Sequence, residues 1–348
     1  METVALERAS TTPHGDGGRD EDEGARWRAV ARRFRELGAA GALALPNPGS
    51  GRTRERWARF TAWGEEDPAL ARLAEGHADA LAILSEIDPD SDSGPADGAL
   101  WGVWAAEPPG TGLTATRTGD GAWRLDGVKA YCSGARTLDR ALVSAREGDE
   151  RLLLRVDLDQ PGVRASAESW PADAMKGSDT LDVRFEGVRA QPVGSAGAYL
   201  ARPGFQHGGI GVAACWYGGA RAVARTLHAA ARQRDPGPHA LAHLGAVVAE
   251  LNALHAALDK AASEIDADPQ DHAGLAALRS KAVRATAEST CREVIDRVGR
   301  ALGAAPLAHD GEHARVVADL TVYLRQHHAE RDHEALGRAV ADREWSTW

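Results

Sequence analysis

Apart from tryptophan, the chain has few aromatic residues. Of its 348 residues only 4 are Tyr and 4 are Phe, and aromatics total 5%, yet 10 are Trp. A core with so few rings must be filled by aliphatic side chains and by backbones that approach closely at Ala and Gly, which suits tightly packed helices. Cysteine is also scarce. Cys132, Cys215 and Cys291 are odd in number and far apart, which excludes a disulfide framework and a zinc-type spacing and fits a reducing compartment. Positive charge is outnumbered, 41 Lys and Arg against 51 Asp and Glu, for a net charge of -10. No cationic excess is available to neutralise phosphates, so no nucleic-acid partner is expected. No run approaches the roughly 18 apolar residues of a membrane span, and the charged N-terminal stretch has no leader-like apolar core. The expectation is a cytoplasmic protein without a membrane span.

What is present falls into segments. Residues 1 to 23, with G-D-G-G-R-D-E-D-E-G, carry little apolar matter and read as a disordered lead. In Ala25–Leu37, Trp27, Val30, Phe34 and Leu37 recur at three and four residues, a helical period. A Gly- and Pro-rich loop separates this helix from a second helical zone, about Arg54 to Ile87, interrupted near Gly64 and Pro68. Residues 88–98 are a polar linker. From Leu100 to about Val193 the pattern changes to short alternating runs: Leu113–Thr118, Ala122–Leu125, Val128–Ser133, Arg140–Ala145, Leu152–Leu158, Val163–Ala167 and Leu181–Phe185. Such spacing predicts a small antiparallel barrel or sandwich, with a tight turn at Asp126-Gly127. Beyond Pro203-Gly204 the helical period returns over 209–231, 241–265, 275–302 and 315–336. On the second of these, Leu244, Val247, Val248, Leu251, Leu254 and Leu258 form one stripe. Four long helices with wide apolar stripes predict a bundle. The domains expected are therefore 24–98 helical, 99–195 barrel and 196–348 bundle, an α+β multidomain chain.

Two motif matches are weak on their own. Gly209-Ile-Gly211-Val-Ala-Ala214 has the spacing of a dinucleotide fingerprint, but it follows no clear strand and small residues for helix packing explain it. Glu330-x-x-His333 resembles half of a di-iron site; no second such motif is apparent, so no metal is expected.

The order of the remaining motifs is more specific. W-A-A-E-P-P-G-T-G at Trp104–Gly112, W-R-L-D-G-V-K-A-Y-C-S at Trp123–Ser133, and M-K-G-S-D-T-L-D-V-R-F-E-G-V at Met175–Val188 are followed by the long helical region. From Leu100 onward this series resembles the middle domain and C-terminal helices of the acyl-CoA dehydrogenase flavoproteins. The resemblance implies FAD, held between barrel and bundle, and a substrate that is an acyl thioester, such as that of CoA, or a related acyl compound. It also implies a homodimer or homotetramer, with a hetero-oligomer as the other possibility.

The resemblance also implies roles for particular residues. Trp104 to Glu107 would run along the flavin edge, with Ala106 where the family has a Thr that bonds the ring. Tyr131 would wall the flavin, and the Ser133 hydroxyl would reach its N5. Thr111 would stand near the thioester. The pyrophosphate would fall to Arg232 or Arg234, with Arg234 favoured. The family's cofactor-binding glycine turn corresponds to Arg297–Gly303, where Arg300 intrudes. Dehydrogenation needs a carboxylate near the substrate α-carbon. At one usual position stands His327, with Glu330 a turn further on; at the other stand Gly208 and Gly209. The expected function is therefore an acyl-CoA-dehydrogenase-like FAD oxidoreductase with His327 in place of the usual Glu. The alternatives are a flavin-dependent monooxygenase on the same fold and a non-catalytic partner subunit of a flavoprotein complex.

Overall fold

A computed structural model describes residues 17–89, 98–119, 121–233 and 236–344. The chain begins with three helices, α1 (Gly17–Ala39), α2 (Thr53–Glu66) and α3 (Pro68–Ile87). α1 thus starts inside the stretch expected as a lead, and it buries Val30, Phe34 and Leu37 as the helical period requires. α2 and α3 are divided at Asp67. Its Oδ1 accepts from the backbone N–H of Ala69 (2.8 Å) and Leu70 (3.3 Å), and Pro68 takes the first helical position. An Asp cap followed by Pro is the local code for starting a helix.

Seven strands follow: β1 (Trp101–Trp104), β2 (Gly112–Arg117), β3 (Trp123–Cys132), β4 (Arg140–Glu147), β5 (Glu150–Asp157), β6 (Val163–Ser166) and β7 (Leu181–Pro192). β4, β2, β3, β7 and β5 pair in that order, and β5 pairs back to β4, so five strands close into a barrel. β1 and β6 add to its outside, on β4 and β7. Most pairings are antiparallel; β1 with β4 and the single β2–β4 bridge are parallel. Inward residues alternate along the strands, with Leu125, Val143, Leu154, Val183 and Phe185 filling the interior.

The turn expected at Asp126-Gly127 is not there. β3 runs straight through it, and the hairpin with β2 is closed instead where the Thr118 N–H donates to the Ala122 carbonyl at 2.9 Å. Asp126 sits at a register shift against β7, where its Oδ1 accepts from the Gly187 N–H at 2.7 Å. Gly127 has φ 130°, and a Cβ there would lie 2.3 Å from the Gly112 carbonyl oxygen. Its glycine serves a close strand approach at a bulge, which has the same sequence signature as a turn.

The C-terminal part comprises α4 (Ala198–Ala201), α5 (Pro203–Gln233), α6 (Gly237–Ala267), α7 (Ala276–Leu302), α8 (Ala305–His309), α9 (Gly311–Tyr323) and α10 (Glu330–Ala341). α5 is the central helix, packed against α2, α7, α6, α9 and α3. Its Gly and Ala content has a direct cause: a Cβ on Gly218 would lie 2.1 Å from the Thr61 carbonyl oxygen, and one on Gly64 of α2 would lie 2.2 Å from that of Cys215. The two helices cross backbone to backbone. The helix expected over 315–336 is broken: α9 ends at Tyr323, a short 3-10 turn follows, and His327 is extended at φ -92°, ψ 126°. α6 buries Val247, Leu254, Leu258 and Ile265, but Val248, expected on the same stripe, is 50% exposed. By length and composition alone α6 could cross a membrane, and 17% of its most apolar window is buried; one face of it packs on α5 and α7 as a bundle helix.

The α2–α5 crossing yields the first prediction. Gly64→Ala must push the two backbones apart and should lower stability by about 3 kcal/mol or more. Gly245→Ala, exposed on α6 with nothing within 4 Å of the new methyl group, should raise stability by up to about 1 kcal/mol. Thermal melts of the two variants check both signs.

Candidate functional site

A cleft of about 900 Å³ opens where the barrel meets α3, α7 and the segment after α9. Its barrel wall is the chain leaving β1 (Val103, Ala105, Ala106 and Glu107) together with Tyr131, Ser133 and Thr180. Its helical wall carries Arg72, Glu75, Gly76 and Asp79 of α3, with Arg284 of α7 and Tyr323, Arg325, Gln326 and His328 beyond.

Local backbone geometry presents the barrel-side groups. Pairing of β3 with β7 is irregular between Lys129 and Cys132, and there Tyr131 takes a left-handed φ of 59°. The irregularity turns the Tyr131 ring out, leaving it 53% exposed and edge-on to Trp170 at 6.4 Å. Two residues on, Ser133 is buried and fixed from three directions. Its carbonyl accepts from Trp104 Nε1 (2.9 Å), and its Oγ accepts from Arg72 Nε (3.2 Å) and Thr180 Oγ1 (2.9 Å). With both lone pairs engaged, the hydroxyl's own proton is left to donate to whatever lies in the cleft. Glu107 is held at the barrel mouth by Ser144 (2.8 Å) and Arg151 (2.8 Å). Behind it the buried Lys129 Nζ donates to the Ser144 carbonyl at 2.9 Å and is pushed by burial down to about 8.

On the helical wall, Glu75 is 4% exposed and accepts from Arg72 Nη1 at 2.7 Å. Burial raises its carboxyl to about 7. The Asp79 carboxylate one turn along adds to the rise, and the Arg72 and Arg56 charges oppose it. A second cavity of about 300 Å³ shares Glu75, Asp79, Tyr199, Arg284, Gln326 and His328 with the cleft and adds Arg202, Gly208, Gly209, His327 and Asp332. The space beside Gly208 is taken by Asp79: a Cβ on Gly208 would lie 2.7 Å from Asp79 Oδ1, an oxygen with no hydrogen-bond partner among the described residues.

The residues singled out from sequence divide as follows. Ala106, Tyr131 and Ser133 meet on the cleft wall. Trp104 does not line it; the ring is buried in the barrel core against Phe185, and its part is to anchor the Ser133 carbonyl. Thr111 is also absent from the lining, because its hydroxyl bonds the Pro108 carbonyl (3.1 Å) and closes the turn before β2. His327 lies in the second cavity. Its Nδ1 accepts from the Ala329 N–H (3.2 Å), and burial lowers its basicity, so the neutral ring carries its proton on Nε2, 3.9 Å from Asp332. That tautomer makes it a donor there, with no free lone pair to act as a base. Glu330 is exposed at the start of α10 and lines neither cavity. Arg232 is exposed, and Arg234 lies outside the described residues. In the glycine turn, Arg300 pairs with Asp296 at 3.3 Å, and Gly303, with φ 68°, ends α7.

The helix α3 falls in the expected helical zone, but its polar residues are not among those the sequence singles out. In P-A-L-A-R-L-A-E-G-H-A-D-A-L-A-I-L, the charged Arg72, Glu75 and Asp79 recur at three and four residues on a helix otherwise made of small and apolar residues. A polar stripe with helical period inside an apolar helix is the signal that marked it.

The arrangement of helical domain, closed barrel and helical bundle around one cleft is that of the acyl-CoA dehydrogenase fold. Residues 195–324 match the family described as acyl-CoA dehydrogenase, C-terminal domain, and the chain as a whole is similar in fold to solved structures of that kind. Among solved structures, glutaryl-CoA dehydrogenase from Mycobacterium smegmatis superposes with a TM-score of 0.78 at 20% identity, covering 90% of this chain and 87% of the other. KijD3 in complex with FMN and dTDP-3-amino-2,3,6-trideoxy-4-keto-3-methyl-D-glucose gives 0.76 at 18% identity, covering 94% of each chain. Dibenzothiophene monooxygenase (TdsC) from Paenibacillus sp. A11-2 gives 0.74 at 17%, covering 92% and 98%. No curated protein matches the chain in sequence.

The left-handed backbone at Tyr131 is strained for a bulky side chain and tolerated by Asn. Tyr131→Asn should therefore leave the melting temperature of the ligand-free protein unchanged or higher. A loss above about 2 kcal/mol would show that packing on Trp170 outweighs the strain.

Proposed function

We propose that this chain is a flavin-dependent oxidoreductase that holds FAD in the cleft between barrel and bundle and acts on an acyl thioester or related small acyl substrate. The supporting observation is the state of Ser133: a buried hydroxyl with both lone pairs filled, its remaining proton available to an acceptor in a cavity of the size that cofactor sites occupy. When bound, the flavin ring would supply the two-electron chemistry. The chain would supply the rest. Tyr131 and the backbone of Ala105–Glu107 would wall the ring, and Ser133 would donate to it. Arg284, Arg325 and Arg331 bring positive charge to the opposite side, where an anionic part of the nucleotide or substrate would be stabilised.

A second reading, oxygenation by reduced flavin, is favoured by a specific observation. No carboxylate stands at His327, Gly208 or Gly209, the places where the resemblance implies one. The structures of KijD3 and TdsC also carry FMN and a monooxygenase name respectively, which makes FMN the competitor to FAD. We also propose a homodimer or homotetramer. Leu241 (51% exposed) and Val248 (50%) lie seven residues apart on one face of α6, an apolar surface suited to a second copy. A cytoplasmic site agrees with three buried, unpaired cysteines.

Visible absorption after equilibration with FAD or FMN and removal of the excess should show close to one flavin per chain. Reduction of that flavin by a panel of acyl-CoA thioesters, with an artificial electron acceptor, supports dehydrogenation. Substrate turnover only with reduced flavin and dioxygen supports the second reading. Colourless protein under every condition would sink both and leave a partner subunit. Ser133→Ala should weaken flavin binding about fivefold, the worth of roughly 1 kcal/mol, or shift the absorption bands. The double variant Leu241→Lys, Val248→Lys should reduce the mass measured by light scattering to that of one chain.

A further inference from the structure

We propose that α3 carries the proton-exchanging group of the cleft: Glu75, at the partition between the two cavities and tied through Arg72 to Ser133, takes up and gives back the proton that the reaction moves. This rests on the flavin reading only in that the reacting molecule shares the cleft with the flavin.

Position is the first argument. Glu75 lines both the large cleft and the side chamber, and the exposed His328 lines both as well, so one residue of α3 borders the reacting space and a second cavity at the protein surface. Such a group can collect a proton on one side and release it on the other. His327, engaged at Nδ1, cannot collect one.

Connection is the second. Arg72 donates through Nη1 to Glu75 (2.7 Å) and through Nε to Ser133 Oγ (3.2 Å). One guanidinium therefore fixes the carboxylate and the cleft hydroxyl relative to each other, as a positioned acid–base group requires.

Substitution of space is the third. α5 has glycine at 208, and the volume a side chain would fill holds the Asp79 carboxylate of α3 instead. The carboxylates near this position are thus delivered from the N-terminal helices rather than from α5.

The charges around Glu75 come from every side. Asp79 shares its face of α3 and favours the protonated form; Arg72 of the same helix and Arg56 of α2 favour the ionised form. Arg284 of α7 also senses its charge, as do the Tyr323 hydroxyl of α9 and the Cys215 thiol of α5, both of which burial keeps protonated. The balance leaves the carboxyl able to change state near neutrality, where general acid–base catalysis is efficient. In the step itself, the Glu75 carboxylate takes the proton of a substrate X–H bond, the electron pair stays on X, and the resulting carboxylic acid returns the proton to water in the side chamber.

The test has a flavin-free arm and a flavin-loaded arm. In protein labelled with 13C at the glutamate carboxyls, one signal should titrate near pH 7. It should vanish in Glu75→Gln and move to lower pH in Asp79→Asn, since the neighbouring negative charge is removed. No such signal, or one that Asp79→Asn leaves in place, overturns the proposal whether or not flavin binds. In the loaded arm, protein carrying reduced FAD is mixed with dioxygen, a reaction that takes up one proton for each hydrogen peroxide released. Wild type should show a rate that changes with pH around 7. Glu75→Gln should bind FAD within a few-fold of wild type, lose that pH dependence and react about 100-fold more slowly, with part of the rate restored in Glu75→Asp. Bound FAD with an unchanged profile in Glu75→Gln overturns the proposal and leaves the flavin reading intact. Failure to bind either FAD or FMN sinks the flavin reading, while the carboxyl titration still decides whether Glu75 exchanges a proton near neutrality.

Discussion

The ion pair between Arg72 and Glu75 is the constraint on which the cleft depends. Both groups sit on a helix enclosed by barrel and bundle, and a charge removed from water at such a place is tolerated only when it is paired and fully hydrogen-bonded. The guanidinium meets that demand by reaching across to Ser133, which in turn accepts from Thr180. Helix α3, the end of β3 and the start of β7 are thereby held in one arrangement. A cut at any link would leave a buried polar group without its partner, so the geometry of the cleft wall follows from the need to satisfy one pair of charges.

The same economy of position appears at the other end of α3. Asp67 caps the helix and is also bonded by Arg26 of α1. Arg202 is buried between Glu86 and Asp79. Charged residues run the length of this otherwise largely apolar helix, and Arg72, Asp79 and Glu86 meet groups from later parts of the chain, Ser133 and Arg202. α3 therefore orients the N-terminal helices on the bundle as well as forming the cleft floor.

How far the sequence disclosed this depends on whether a feature is local. The interruption near Pro68, the alternating strands and the apolar character of α5 and α7 are written in neighbouring residues and are legible there. Gly127 was read as a turn because a bulge and a turn demand the same residue, and only the approach of Gly112 across the barrel distinguishes them. The break at His327 is hard to read because no Gly or Pro marks it, although the apolar period lapses over residues 325–334. At the site, Tyr131, Ser133 and Ala106 were placed by motif order. Trp104 and Thr111 share those motifs but face inward or into a turn, a distinction set by strand register and a side-chain hydrogen bond. Glu75 is not legible in the sequence because the groups that surround it, Arg72 and Asp79 apart, come from distant parts of the chain.

The close crossing of α2 and α5 has a kinetic consequence. Thr61 donates to the Ala214 carbonyl across 153 residues of chain, and the whole barrel is synthesised between the two helices. Their backbones cannot meet until that intervening segment has been threaded aside, so the first three helices emerge from the ribosome long before the surface that completes them exists. During that interval the apolar faces of α2 and α3 have only one another and α1 to cover them. The fold's most intimate contact is thus among the last it can make, and the nascent chain is most exposed to misassembly while it waits.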